Sequence, residues 1–448
     1  MRCTSLPLAF ALSLSLGNLS CNDVGLSGGD VGPMFSHPDI VSMGYEGCKN
    51  LQCRQVSCKN SKVTSISGRV NIPAGNLPIP GAYVYIPNSA LKPITTGPSC
   101  ERCDTLFSGE PVARTQTGLD GTFKLNNVPI GENVPLVVQV GKWRRQINVS
   151  YAEPCSDTVL PYEDTRLPRS QEEGNIPKIA LATGGKDTLE CLVRRLGIAD
   201  SEFTLPSGSG RVNLYAGKEG TSAFSPTFNG GGMFPPAPSL WSNATTLNSY
   251  DMFIGSCEGG GTPNNETPQS IQNVFDFVNA GGRVFASHYH HYWVRAQPAW
   301  SPLMTFNIRQ DLLTVTADIN TQFNRGSNLA NWLMDPAVSG SLTLGKLPLT
   351  LAQNTLQSVD TTKVQTWITV PASQNIQYVS FDTPTTATDA QKCGRFVLSD
   401  IHVSSSSDQA GPLSPFPTGC IGTGLSPQEK ALIFLLFDLS SCIEPPIG

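Results

Sequence analysis

Two spacings of hydrophobic and polar residues divide this chain. Between residues 62 and 150, apolar positions alternate with polar ones in short runs, "VTSISGRVNIP", "GAYVYIPN", "GTFKLNNVP", "NVPLVVQVG" and "RQINVS", each bounded by Gly, Pro or Asn. A period of two between turn residues belongs to strands with one face on a core, so this region predicts a small antiparallel β-sandwich. After residue 176 the period changes. "PKIALATGG" is a continuous apolar run, as in a strand buried on both faces, and "KDTLECLVRRLGI" puts Leu189, Leu192, Val193 and Leu196 on one helical face before Gly197. "SIQNVFDFVNAGG" gives a second amphipathic helix, with Ile271, Val274, Phe275 and Val278 inward, and the strand "RVFASH" follows at once. Such alternation predicts a mainly parallel sheet covered by helices. In "GLSPQEKALIFLLFDLSSC", Ser426 is an N-cap, Pro427 the first helical residue and Glu429 the capping-box partner of a closing helix.

The other segments lack these periods. Residues 22–61 predict an irregular leader tied by cysteines, residues 151–176 a linker, and residues 295–392 a β-rich insertion, with runs such as "LLTVTADI" and "TWITVP", inside a domain spanning 177–448. Met1–Arg2 followed by "LPLAFALSLSLGNL" is one positive charge before an apolar stretch too short to span a bilayer, so residues 1–21 predict a signal peptide. Small residues precede Cys21, a candidate for lipidation, although Asn18 stands where a lipobox has leucine. Lipid anchoring and free secretion both stay open. The product is expected outside the cytoplasm, either secreted or as a periplasmic or outer-membrane lipoprotein, touching a membrane only through such an anchor.

Thirteen cysteines fit export. Cys48, Cys53, Cys58, Cys100, Cys103 and Cys155 form an even set that reads as a disulfide framework. Cys100-Glu-Arg-Cys103 also has the spacing of half a zinc site, but no second such pair follows. Cys191, Cys257, Cys393, Cys420 and Cys442 are odd in number, so at least one is free or pairs elsewhere. With 448 residues the chain exceeds one core, and a net charge of −5 without a dense Lys/Arg stripe excludes nucleic acid as an expected partner.

Three apolar runs end in reactive side chains: "YDMFIGSCEGGG", "GGRVFASHYHHYWV" and "CGRFVLSDIHV". Ligands of open α/β sheets sit outside the carboxyl ends of the strands, so neighbouring strands would turn Cys257, Glu258, His288, His290, His291, Asp400 and His402 into one cleft. On a strand, His288 and His290 share a face, as do Asp400 and His402. Three readings follow: a divalent-metal site of His288, His290 and Asp400 or Glu258, a histidine general base set by a carboxylate, or a hydrogen-bonded polar strand end. Cys257 sits in Gly255-Ser256-Cys257-Glu258-Gly259, the letters of a nucleophile elbow, against which stands a structural or bonded cysteine. Tyr289, Tyr292, Trp293 and Trp300 would suit a sugar beside Glu258 and His290, or simply fill a core.

Two family resemblances add to this reading. Ser67–Val70 (S-G-x-V), Pro80–Val84 (P-G-A-x-V), Asp120–Phe123 (D-G-x-F) and Asn127–Gly131 (N-V-P-x-G) make residues 62–150 resemble the carboxypeptidase regulatory-like domain, a prealbumin-like, carbohydrate-binding-like fold, with a loop inserted between Ser89 and Ala113. That resemblance implies a spacer or recognition module. Tyr250–Asp251, Gly281–Gly282 with His288, and Gly394–Phe396 with His402 make residues 177–448 resemble the flavodoxin-like, class I glutamine amidotransferase-like fold, in its ThuA-like branch. The family's glutaminases need an elbow cysteine where this chain has Ser287 and His288, so glutaminase activity is not expected. The expected function is binding of a ligand or cell surface, with carbohydrate favoured. The alternatives are a hydrolase, with or without a metal, using His288, His290, Asp400 and His402, and a purely structural surface protein.

Overall fold

The alternating runs of the first half fold into two sheets. The structure is a computed structural model describing residues 37–259, 266–307, 314–341, 343–371, 373–403, 408–409 and 411–444. The expected signal peptide, Cys21 and residues 22–36 lie outside the described residues. One sheet orders Thr122–Asn126, Ser65–Arg69 and Asp157–Val159; the other orders Pro111–Gln116, Tyr83–Pro87, Gly131–Val140 and Trp143–Ala152. Period-two burial is plain in Thr122–Asn126, where Phe123 and Leu125 point inward to join Ile66, Val84, Val134 and Leu136. The Asp120–Gly121 turn is set by the Asp120 carboxylate, which accepts from the backbone N–H and hydroxyl of Thr122.

Two expectations need correction. Residues 151–176 are packed rather than a linker: Asp157–Val159 pairs with Ser65–Arg69, and the Arg166 guanidinium grips Glu173 through two bonds of 2.6 Å. Local partners for its many polar side chains let this stretch order without an apolar period. The leader is not wholly irregular either, since Ile40–Met43 pairs with Val56–Cys58.

The second half builds one ten-stranded sheet, ordered Phe203–Thr204, Val212–Tyr215, Ile179–Ala182, Met252–Gly255, Arg283–Ser287, Gly394–Ser399, Asn375–Thr383, Gln365–Val370, Thr314–Ile319 and Lys346–Thr350. Pairing is parallel as far as Gly394–Ser399 and antiparallel beyond it. The 295–392 insertion therefore extends the parent sheet by four strands and adds the helix Asn324–Met334. The helix Pro268–Asn279 is capped by Thr267 and buries Ile271, Val274, Phe277 and Val278. Pro427–Ser440 starts with the expected capping box on Ser426 and Glu429. Its apolar residues run all round, which is the pattern of a helix without a solvent face. Phe437 packs 5.7 Å from the Trp143 ring of the first half, while Leu435, Leu436 and Leu439 continue the same core cluster.

Five disulfides join described cysteines: Cys48–Cys53, Cys58–Cys155, Cys100–Cys393, Cys103–Cys442 and Cys191–Cys420. The N-terminal six thus do not close on themselves. Cys100 and Cys103 sit on the inserted loop, which crosses to the sheet and the last helix. Asp251 anchors that crossing by accepting from Gly97 N at 2.8 Å and Lys142 Nζ at 2.6 Å. The described residues from Asp39 onward consequently form one compact unit instead of two modules joined by a tether. So many bridges mean an oxidising environment. No helix among the described residues is long and apolar enough to cross a membrane.

Candidate functional site

Met252–Gly255, Arg283–Ser287 and Gly394–Ser399 are immediate neighbours in register, so their carboxyl ends open side by side. Cys257 lies two residues beyond the first, His288 directly after the second and His402 three residues after the third. One donor atom from each, the Cys257 sulfur and an imidazole nitrogen of each histidine, lies within 4.8 Å of the others, and all three residues are buried. Cys257 Sγ is 3.3 Å from His288 Nδ1, and His288 Nε2 is 2.8 Å from Thr355 Oγ1. The His288 and His402 rings are 5.4 Å apart. His288 has φ +38°, a left-handed conformation. Such a conformation costs about 1–3 kcal/mol and persists only where its surroundings impose it. Here the strand stops at Ser287 and the chain turns at once into the short helical turn His288–His291, which aims the imidazole at the sulfur.

Two carboxylates frame the cluster. Asp400 Oδ2 accepts from the backbone N–H of Thr355 at 3.0 Å and of Leu356 at 3.1 Å, fixing the segment whose hydroxyl meets His288. Asp187, beyond the carboxyl end of Ile179–Ala182, accepts from Ser287 Oγ at 2.5 Å and Val403 N at 2.9 Å. Burial pushes the Asp187 carboxyl up, while His402 and these hydrogen bonds oppose the shift. Asp187 was missed by sequence reasoning, although "ATGGKD" ends a buried strand of the same sheet and the carboxyl-edge rule applies there equally. Gly184 in this run is required, because a Cβ there would stand 2.2 Å from the Cys257 carbonyl oxygen.

Burial pushes the Cys257 thiol up to about 12, against backbone N–H groups of Tyr289 and Gly259 that favour the thiolate. His288 is pushed down to about 2, first by burial and then by His402 and His291. At neutral pH the bare site therefore holds a neutral thiol beside a neutral imidazole, unlike the ion pair of an activated cysteine nucleophile.

Several expected members lie elsewhere. His290 is not in the cluster: its Nε2 donates to the Ser256 carbonyl oxygen at 3.1 Å, and its Nδ1 accepts from Trp293 Nε1 at 3.1 Å. The expected shared face fails because His288–His291 is a helical turn, not strand. The metal set His288, His290 and Asp400 is accordingly not assembled. Gly255 makes room for the His290 ring, 2.8 Å from where its Cβ would stand. His291 turns Nδ1 toward the His288 carbonyl oxygen at 3.1 Å. Glu258 points to the Gly217–Lys218 backbone, and burial pushes its carboxyl up to about 7. Trp293 and Trp300 are core residues, Trp293 packing edge-on to Trp241 at 5.3 Å, so neither offers a face to a sugar. Tyr289 is half-buried, with its ring 4.4 Å from that of His288.

No protein-family model matches the chain, and no curated protein matches it. Among solved structures, it is similar to a protein described as ThuA-like from Bacteroides uniformis ATCC 8492, at 7% identity and a TM-score of 0.31, covering 58% of this chain and 88% of that one. A protein described in the same way from Parabacteroides merdae ATCC 43184 matches at 10% identity and a TM-score of 0.30, covering 55% of this chain and 86% of that one.

Proposed function

We propose that the protein is an exported hydrolase whose active centre is Cys257, His288 and His402 at the carboxyl edge of the ten-stranded sheet. The observation that carries this reading is the convergence of one thiol and two imidazoles from adjacent strands within 4.8 Å, in a chain with only five histidines. The donor atoms of Cys257, His288 and His402 supply the electrostatic stabilisation the reaction needs. Thr355 and Asp400 hold His288 in place, and Asp187 faces His402. Hydrolysis is preferred to carbohydrate binding because two of the four rings named for a sugar platform, Trp293 and Trp300, are interior, and only Tyr289 and Tyr292 are partly exposed.

A class I amidotransferase-like ancestry of ThuA-like type is part of this reading. Numbered along the chain, the five longer parallel strands lie in the order 2-1-3-4-5, which flavodoxin-like sheets share. A histidine holds the elbow in place of the family's thiol. In the same reading the first half is a carboxypeptidase regulatory-like sandwich that braces the catalytic half, and residues 1–21 direct export, with or without a lipid on Cys21.

The test is turnover by the exported protein, purified without a polyhistidine tag, on a panel of chromogenic esters, phosphates, amides and glycosides. At least one class should be hydrolysed, and His288→Ala and His402→Ala, each folded by circular dichroism, should lower kcat/KM about 100-fold or more. Wild-type rates in both variants, or no hydrolysis of any class, would overturn the proposal.

A further inference from the structure

We infer that Cys257, His288 and His402 form the three-residue site of one transition-metal ion of zinc type, with Cys257 a ligand rather than a nucleophile. The inference deepens the hydrolase proposal, on which only its catalytic consequence rests. The site itself stands on three observations.

Spacing is the first. Zinc binds sulfur at about 2.3 Å and imidazole nitrogen at about 2.0–2.1 Å, so donors on one tetrahedral ion are roughly 3.4–3.6 Å apart. Cys257 Sγ and His288 Nδ1 are already 3.3 Å apart, and the third donor is within 4.8 Å. A side-chain adjustment of about 1 Å closes the set.

The second is the outer partner. Metal-bound imidazoles commonly give their remaining N–H to an oxygen that fixes ring orientation. His288 Nε2 has Thr355 Oγ1 at 2.8 Å, and Thr355 is itself held by Asp400 through its backbone N–H at 3.0 Å. With the proton on Nε2, Nδ1 presents a lone pair to the space it shares with the sulfur.

Donor chemistry is the third. One thiolate with two imidazoles suits zinc and its neighbours, not calcium or magnesium, which take oxygen. Binding releases the Cys257 proton to solvent and makes a metal–sulfur bond, with no change of oxidation state. Three protein ligands leave a fourth position for water, the arrangement of catalytic rather than structural zinc. A bound water acidified there is the nucleophile the proposed hydrolase requires. The same arrangement accounts for a free cysteine among five disulfides in an oxidising environment.

The test is metal analysis of the full exported chain made without a polyhistidine tag, followed by chelation and reconstitution with Zn²⁺ or Co²⁺. About one equivalent per chain is expected, and the Co²⁺ form should show a sulfur-to-cobalt charge-transfer band that Cys257→Ser abolishes. Thr355→Val, which keeps shape and removes the hydroxyl, should weaken Zn²⁺ binding about 10–100-fold. Wild-type protein that takes up no Zn²⁺ or Co²⁺, or binds Co²⁺ without the sulfur band, overturns the site, and this reading does not depend on any variant folding. Stoichiometric metal with no turnover refutes the hydrolase and leaves the site standing. Turnover that persists in the chelated protein refutes the metal's part in catalysis and leaves the hydrolase standing.

Discussion

Replacing Asp251 by alanine should cost this protein about 4 kcal/mol, because its carboxylate joins three parts of the chain in a place that excludes water. Oδ1 accepts from Gly97 N at 2.8 Å and Lys142 Nζ at 2.6 Å, and Oδ2 accepts from Lys178 N at 2.5 Å. These bonds tie the inserted loop, the end of a strand pair and the entry to the large sheet. Lys142 is 7% exposed, and its only other carboxylate among the described residues is Glu101 at 3.5 Å. Removing one partner of a buried pair typically costs about 3–5 kcal/mol, since the remaining charge stays dehydrated. Two orphaned backbone N–H groups add to this, whereas Glu101 and the carbonyl oxygens of Thr95 and Gly97 offset part of it. Adding Lys142→Met removes the stranded charge, so the double variant should recover about 2 kcal/mol over Asp251→Ala alone. Urea unfolding followed by circular dichroism, with disulfides intact, reads both numbers as midpoint shifts at constant slope. A single variant within about 1 kcal/mol of wild type, or a double variant no more stable than the single, would refute the reasoning.

Alkylation of the denatured, unreduced protein should label Cys257 alone among the cysteines from Cys48 to Cys442, and native protein should protect it; a labelled Cys100 or Cys103 contradicts the bridges to Cys393 and Cys442. Burial pushes the Glu190 carboxyl up to about 8 from 4.5, and Asp187 moves in the same direction. The unfolded chain releases the Glu190 proton first, so the contribution of Glu190 is complete below about pH 4.5 and is lost as pH rises toward 8, with a slope of about 1.4 kcal/mol per pH unit. Glu190→Gln should flatten that decline, and an unchanged slope of stability against pH would count against it. Glutamine should not be hydrolysed, because burial keeps the Cys257 thiol neutral; measurable ammonia release dependent on Cys257 would contradict this.

The edge of the sheet was legible because a strand buried on both faces announces itself as an apolar run, and its polar tip follows directly. Cys257, His288 and His402 were found in this way, and Ser426 with Glu429 marked the closing helix from local chemistry alone. His290 was misplaced for an instructive reason. The strand period stops at Ser287, because the positive φ of His288 turns the chain out of the sheet at the next residue. The partners of Cys100 and Cys103 lie 293 and 339 residues downstream, and no local pattern encodes a contact at that distance. The insertion read as a foreign body because its strands alternate like a separate sheet, although hydrogen bonding along Asn375–Thr383 makes them part of the first. Asp187 has the weaker signal, a lone carboxylate after Gly-Gly at the end of a buried strand, and its approach to His402 is set by the fold.

Anomalous diffraction at the zinc edge from crystals equilibrated with Zn²⁺ tests the central claim most directly. One peak is predicted about 2.3 Å from Cys257 Sγ and about 2.0–2.1 Å from His288 Nδ1 and a His402 ring nitrogen, with a water in the fourth position. Crystals that place zinc elsewhere, or leave Cys257 and His288 joined only by their hydrogen bond, would contradict the account.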